Sequence, residues 1–229
     1  MAAIVVTVLY TNSENRISRK LAGRWLAELS YARQTELQRL RRSEDLNNSL
    51  LGMQLLKTGM SHLEFRDFHL SGVQYSANRK PHLSEAVDFS ISHSGDMVVC
   101  ALTRNGRIGI DTEKQRPVSI RSFSRFLSAS ECLASGDSSD AFLDFWTCKE
   151  AVLKGCGNRQ LNQLKDITIS GDAARIGTQR FYLCRLELQQ GYKTCLATST
   201  QQGHIELLPA RLENGSMIIS KDSPDAASC

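Results

Sequence analysis

Two short stretches decide how this chain is read: Arg107-Ile108-Gly109-Ile110-Asp111-Thr112-Glu113 and Phe145-Trp146-Thr147-Cys148-Lys149-Glu150-Ala151-Val152-Leu153-Lys154. The first has the pattern of a β-strand. Strand side chains alternate, so Asp111 and Glu113 point to one face with Gly109 below them. A glycine there leaves that face open to close approach. The second stretch has the pattern of a helix, on which Glu150 and Lys154, four apart, share a face. Alone, that pair is an ordinary surface ion pair worth about 0.2–0.5 kcal/mol, and a lone D-x-E carries little information. Together, three carboxylates and a lysine converging from a strand and a helix predict a hard divalent cation beside a phosphate. Magnesium takes oxygen ligands and is commonly held by a few carboxylates plus substrate phosphates. The expected metal ligands are Asp111, Glu113 and Glu150.

The chain has 229 residues, enough for one large or two small cores. It has no apolar run long enough to span a bilayer, which requires about 18 residues or more, so no membrane partner is expected. Met1 to Tyr10 lacks a basic leader region and reads as a first strand rather than a signal peptide. The seven cysteines are scattered, without C-x-x-C. That argues against a disulfide framework or a zinc site and for a cytoplasmic location. The net charge of +4 is carried by the first half, where residues 1–110 hold fourteen Lys+Arg against ten Asp+Glu. This bias suits a polyanionic small molecule or an acidic protein. With no long basic run and no aromatic platform, nucleic acid is not an expected partner.

Outward from the two stretches, Ile4–Tyr10 reads as a strand. Ile17, Leu21, Trp25 and Leu29 recur every four residues, the stripe of an amphipathic helix. Residues 31–42, with Arg33, Arg39, Arg41 and Arg42, read as a second helix. A third begins at Glu44-Asp45, acids that favour a helix N-terminus, and Gly59 is its expected C-cap. Asp88–His93, Met97–Thr103 and Arg107–Thr112 read as a three-strand meander, with Ser94-Gly95 and Asn105-Gly106 as tight turns. Such a meander brings His93 to the end of the sheet that carries Glu113, where it can donate to a phosphate. Ser128-x-x-Glu131 is a capping box. Ser138-Ser139-Asp140 starts the long helix, with Phe142, Phe145 and Leu153 on its buried stripe, Trp146 as a packing anchor, and Gly155 and Gly157 as its end. Beyond it, 166–170, 180–186, 193–200 and 204–208 read as strands, and 221–229 as a polar tail.

Trp146, Lys149-Glu150-Ala151 and Lys154 resemble the W-x-x-K-E-A/S-x-x-K signature of the 4′-phosphopantetheinyl transferases. Gly109-Ile110-Asp111-Thr112-Glu113 resembles that family's G-I-D-x-E. Phe89-Ser90-Ile91-Ser92-His93-Ser94 resembles its F-N-x-S-H-S, with Ser90 in place of Asn. Arg79-Lys80-Pro81 resembles G-K-P, with Arg79 in place of Gly, and the block from Ser43 to Gly52 resembles a first-half helix. The motifs stand in the family's order, and the length suits its monomeric, Sfp-type branch.

The resemblance implies an α+β fold: a pseudo-twofold monomer of two similar halves, each a small antiparallel sheet with helices. The halves would be residues 1–107 and 108–220, with the active site in the cleft between and 221–229 as tail. It implies transfer of phosphopantetheine from coenzyme A to a serine of an acidic apo carrier protein, with release of 3′,5′-ADP, using magnesium or manganese. Arg33, Ser49, Lys80, Pro81, Ser92 and His93 would contact the coenzyme. Glu150 with Lys154 would serve the chemistry, and Glu131 matches a family glutamate proposed as acid/base. Basic family positions near the 3′-phosphate appear here as Glu36 and Asn48, for which Arg41 or Arg42 could compensate. Two other classes remain open: a non-catalytic coenzyme A or nucleotide-binding module, which would need no metal carboxylates, and a metal-dependent phosphoesterase using water.

Overall fold

The computed structural model describes residues 5–12, 17–75, 81–83, 87–157, 161–201 and 204–220. Lys80, Arg79 and the 221–229 tail of the sequence reading lie outside them. The fold is α+β. Strand β1 (Val5–Asn12) leads to helices α1 (Arg19–Ala27), α2 (Tyr31–Gln38) and α3 (Ser43–His62). A short pair follows, β2 (Gln74–Tyr75) and β3 (Pro81–His82), then β4 (Asp88–Ser94), β5 (Met97–Thr103) and β6 (Ile108–Lys114). Helices α4 (Ile120–Phe123), α5 (Ala129–Ser135) and α6 (Ser139–Gly155) precede β7 (Ile167–Ser170), β8 (Ala173–Ile176), β9 (Gln179–Leu186), β10 (Tyr192–Thr198), β11 (His204–Glu213) and β12 (Ser216–Ile219).

Two five-stranded sheets form, ordered β12-β11-β1-β5-β4 and β6-β10-β9-β8-β7. They face one another across a shared apolar layer. Val6, Val8, Met97, Val99 and Ala101 of the first sheet meet Ile108, Ile110 and Leu196 of the second. The outer face of the first sheet carries α3, which packs Leu50, Leu51, Leu55 and Leu56 with Leu9, Val98 and Leu102. The outer face of the second carries α6, which packs Cys148, Ala151 and Val152 with Phe181, Cys195 and Ala197. The layers therefore run helix, sheet, sheet, helix, and β5, buried along its whole length, has no solvent face.

Several expectations are corrected. The three strands from residue 88 to residue 114 are not one meander. β4 pairs with β5, but β6 leaves after Asn105-Gly106 and pairs with β10, so it belongs to the other sheet. The alternating pattern of a strand fixes its faces and not its partner. The first turn is Gly95-Asp96, one residue later than read, with Gly95 at φ +54° and Ser94 paired with Met97. Gly59 is not a cap. It lies inside α3, where a Cβ would meet Leu102 and Leu9 side chains at 2.6 and 2.9 Å, and the helix runs on to His62. The second helix stops at Gln38, four residues short. Strands β11 and β12 return to the first sheet, β11 parallel to β1, so sheet membership does not follow a division at residue 107.

Candidate active site

The carboxylates sit where the edges of the two sheets run side by side. β4 is the last strand of one sheet and β6 the first of the other. No backbone ladder joins them among the described residues; polar side chains at alternate positions of β4 do so instead. The Ile108 amide donates to Asp88 Oδ2 at 2.8 Å, the Ile110 amide to Ser90 Oγ at 3.1 Å, and the Lys114 amide to Ser94 Oγ at 3.1 Å. Buried strand amides need acceptors, and Asp88, Ser90 and Ser94 supply them. This seam sets the register of β6 against β4. The sequence signal was the alternation of Asp88, Ser90, Ser92 and Ser94 with Phe89, Ile91 and His93. That alternation is legible as a two-faced strand, though not as a side-chain seam.

Gly109 explains how α6 is placed. A Cβ at Gly109 would collide with the Ala151 carbonyl oxygen and lie 2.5 Å from the Gly155 amide nitrogen. The open face expected at this glycine is filled by the backbone of α6. Asp111, the next residue on that face, then receives the side chain of Lys154. Lys154 Nζ lies 2.7 Å from Asp111 Oδ1 and 2.8 Å from Ser92 Oγ, and the Ser92 hydroxyl donates to Asp111 Oδ1 at 2.7 Å. Asp111 and Ser92 are buried, 4 % and 6 % exposed. Asp111 Oδ2 is buried and has no hydrogen-bond partner, an acceptor of unused capacity.

Glu113 stands two residues on, its Oε2 accepting from Ser94 Oγ at 2.9 Å, with Arg116 4.0 Å away. Burial raises its pKa, the Asp111 charge raises it further, and the Ser94 hydroxyl with the Arg116 and Lys154 charges pulls the other way. Two neighbouring carboxylates, one with an idle buried oxygen and the other resisting ionisation, are a setting in which a cation is favoured. Glu150 lies half-buried on the turn of α6 before Lys154. Among the described residues, however, no three His, Cys, Asp or Glu side chains are arranged as a metal site. In this structure Asp111 is held by the Lys154 ammonium. The carboxylates still fit magnesium, which is usually bound through one or two carboxylates while water and substrate phosphates fill the remaining positions.

Around this centre the other expected residues divide. Ser94, the neighbour of His93 on β4, bonds Glu113, and His93 itself lies close enough to Lys154, Asp45 and Asp111 to feel their charges. On its strand His93 faces α3 and keeps an exposed edge. The protein around the rest of the ring and the Lys154 charge lower its pKa, while Asp45 and Asp111 oppose them. Arg33 lies over the Tyr75 ring at 5.3 Å, and Tyr75 pairs with Pro81, so Arg33 and Pro81 share one patch. The Arg33 guanidinium is engaged by Glu36 at 2.6 Å, while its Nε is buried without a hydrogen-bond partner. Ser49 is half-buried on α3. Asn48 donates to the Gly95 carbonyl at 3.1 Å, and its Oδ1 is buried without a partner.

Lys149 has a role that spacing could not show. It is 1 % exposed, with Nζ 2.6 Å from Glu131 Oε2 and hydrogen-bonded to the carbonyls of Phe126 and Leu164 at 3.2 and 3.0 Å. Glu131 also accepts from the Ser128 amide at 2.7 Å, completing the expected capping box of α5. Lys149 thus ties α6 to the segments on both sides of it. Trp146 packs edge-on to Phe123 and Phe126, with centroids at 5.3 and 5.7 Å, and stacks on Phe142 at 5.8 Å.

A family model described as the 4′-phosphopantetheinyl transferase superfamily matches residues 107–204, the span that holds both the β6 carboxylates and α6. The chain is similar to this superfamily over that span. The 4′-phosphopantetheinyl transferase Sfp of Bacillus subtilis is 28 % identical to it over 187 residues, 78 % of this chain and 80 % of that protein. The 4′-phosphopantetheinyl transferase gsp of Aneurinibacillus migulanus is 26 % identical over 160 residues, 67 % of this chain and 66 % of its own. HetI of Nostoc, also a 4′-phosphopantetheinyl transferase, is 33 % identical over a shorter 108 residues, 42 % of this chain and 45 % of its own. In this chain α6 is used on two faces, Lys149 inward to hold it and Lys154 toward Asp111.

Proposed function

We propose that the protein transfers 4′-phosphopantetheine from coenzyme A to a serine of an apo carrier protein and releases 3′,5′-ADP, with a divalent cation, magnesium or manganese, at Asp111 and Glu113. The observation that carries this reading is the Asp111–Lys154–Ser92 cluster with its idle buried Asp111 oxygen beside Glu113. It is a place where anionic oxygens and cations are already balanced and a diphosphate can enter. A bound divalent cation would offset the charge that develops on the diphosphate during displacement.

The chain's own residues do the rest. Lys154, within reach of Asp111, also stands where a phosphate oxygen can be bound, and His93 offers a second donor near the same end of β4. Arg33 and Pro81 form the patch we assign to the nucleotide end of the coenzyme, with Ser49 and Lys80 as further contacts. Ser92, bonded to both Asp111 and Lys154, positions them in this structure. Removal of the carrier serine's proton is assigned to Glu150, with Lys154 assisting. Glu131 is a poor base, because its carboxylate is buried and bonded to Lys149 and to its own helix cap. The partner is expected to be acidic, matching the basic first half of the chain, and the enzyme to act as a cytoplasmic monomer. No described helix is long and apolar enough to cross a membrane.

The test is the intact mass of apo carrier proteins from fatty-acid, polyketide and peptide assembly after incubation with the protein, coenzyme A and magnesium, with and without chelator. A metal-dependent gain of one phosphopantetheine is expected. Coenzyme A binding with no gain on any carrier would favour a non-catalytic binding module. Phosphopantetheine released without a carrier would favour a phosphoesterase.

A further inference from the structure

Asp111 is a buried carboxylate whose charge must be balanced, because an ionised group without a partner is strongly disfavoured in the interior. In this structure the balance comes from Lys154, 2.7 Å from Oδ1, fixed by Ser92, which bridges both groups. The second oxygen, Oδ2, is buried and idle. Among the described residues no third acidic, histidine or cysteine ligand completes a metal site.

A divalent cation arriving at Asp111 therefore meets a fixed positive charge that already holds this carboxylate. We infer that Lys154 is the resident counter-cation of Asp111 in the metal-free protein, so that a divalent cation binds tightly only when a diphosphate enters with it and draws the Lys154 ammonium off Asp111. This deepens the proposed function and rests on it for the identity of the diphosphate. Three consequences follow from electrostatics alone. The cation by itself binds weakly, since like charges share one carboxylate. The diphosphate supplies the missing oxygen ligands and a new partner for Lys154. Metal and diphosphate then strengthen each other's binding by the same factor, as linkage requires.

The experiment is a titration of the purified full chain with Mn2+, followed by the electron paramagnetic resonance signal of the free ion, with and without inorganic pyrophosphate at fixed concentration. Pyrophosphate's own Mn2+ binding is measured in a protein-free series. Wild type should bind Mn2+ weakly alone and at least about tenfold more tightly with pyrophosphate. Lys154→Gln, which removes the charge and leaves a slightly shorter polar side chain, should bind Mn2+ alone at least about tenfold more tightly than wild type, and pyrophosphate should enhance its binding less than it does in wild type. Lys154→Arg keeps the charge and should retain the weak wild-type behaviour. Asp111→Asn should lose Mn2+ binding with or without pyrophosphate. Equal or weaker Mn2+ binding by a folded Lys154→Gln protein, or pyrophosphate enhancement undiminished in it, would overturn the inference. If Lys154→Gln fails to fold, Lys154→Met in the same titration carries the same expectation. Tight Mn2+ binding by wild type in the absence of pyrophosphate overturns the inference without any variant. These readouts involve no carrier protein, so a failure of phosphopantetheine transfer with this pattern intact would count against the proposed function and not against the lysine.

Discussion

Replacing Gly109 by alanine tests whether the backbone contact between β6 and α6 sets the active site. The added Cβ would overlap the Ala151 carbonyl oxygen and lie 2.5 Å from the Gly155 nitrogen and 3.0 Å from the Ala151 carbonyl carbon. All three are backbone atoms, so no side-chain rotation relieves the clash. Restoring ordinary contact, about 3.5–4.0 Å between carbons, moves the helix away by on the order of 1 Å or more. Overpacking of this kind costs typically about 1–3 kcal/mol, and a contact confined to backbone belongs at the upper end. For a chain of this size, about 3 kcal/mol lowers Tm by roughly 6–12 °C. The same retreat carries Lys154 off Asp111, lengthening the 2.7 Å contact beyond hydrogen-bond range. Misplacement by about 1 Å can cost roughly a hundredfold in rate. Gly155→Ala is the control, because its Cβ would meet Phe181 Cε1 at 2.8 Å, a ring that can shift. The assay is thermal unfolding by circular dichroism together with carrier-protein transfer at a temperature where both variants are folded. A Gly109→Ala protein with wild-type Tm would refute the packing argument. One that is destabilised yet transfers at the wild-type rate would refute the link from packing to Lys154.

Three further outcomes are expected. Lys149→Met strands the buried Glu131 carboxylate and should cost about 3–5 kcal/mol in urea unfolding. Adding Glu131→Gln, which keeps an acceptor for the Ser128 amide, should recover part of that loss, and no recovery would mean that the Lys149–Glu131 contact is not the source. Glu113, whose pKa is raised by burial and by Asp111, gives metal-free stability that is fully present below the unfolded carboxyl value, about 4.3, and is lost as pH rises through the folded value. Glu113→Gln should therefore raise the metal-free Tm at neutral pH relative to wild type and abolish transfer, and a lowered Tm there would contradict the sign. Ser90→Ala leaves the Ile110 amide without its acceptor at the β4–β6 seam and should cost about 1–3 kcal/mol; hydrogen exchange at Ile110 faster than at its β6 neighbours would locate the loss.

Much of the site was legible because its signals are short-range. Asp111 and Glu113 share a face by the two-residue strand period, and the turn from Glu150 to Lys154 follows from the helix period, whatever lies around them. Ser128 and Glu131 form their capping box three residues apart for the same reason. What was misread depended on distant partners. Gly59 is a helix stop by local habit, yet it lies inside α3 because Leu102 and Leu9 pack against it. The meander failed because the partner of β6 is β10, about eighty residues further on, while its neighbour β4 reaches it only through Asp88, Ser90 and Ser94.

By itself, then, the sequence determined the element types, the faces on which Asp111, Glu113, Glu150 and Lys154 stand, and the family signature they compose. Only the tertiary structure decided that β6 crosses to a second sheet, that Gly109 is filled by α6, and that Lys149 turns inward to Glu131 while Lys154 meets Asp111. The physical reason is that periodicity fixes a residue's direction relative to its own element. Its partner is chosen by which edges and faces can satisfy their amides, charges and apolar surface together, and that choice is made across the whole chain.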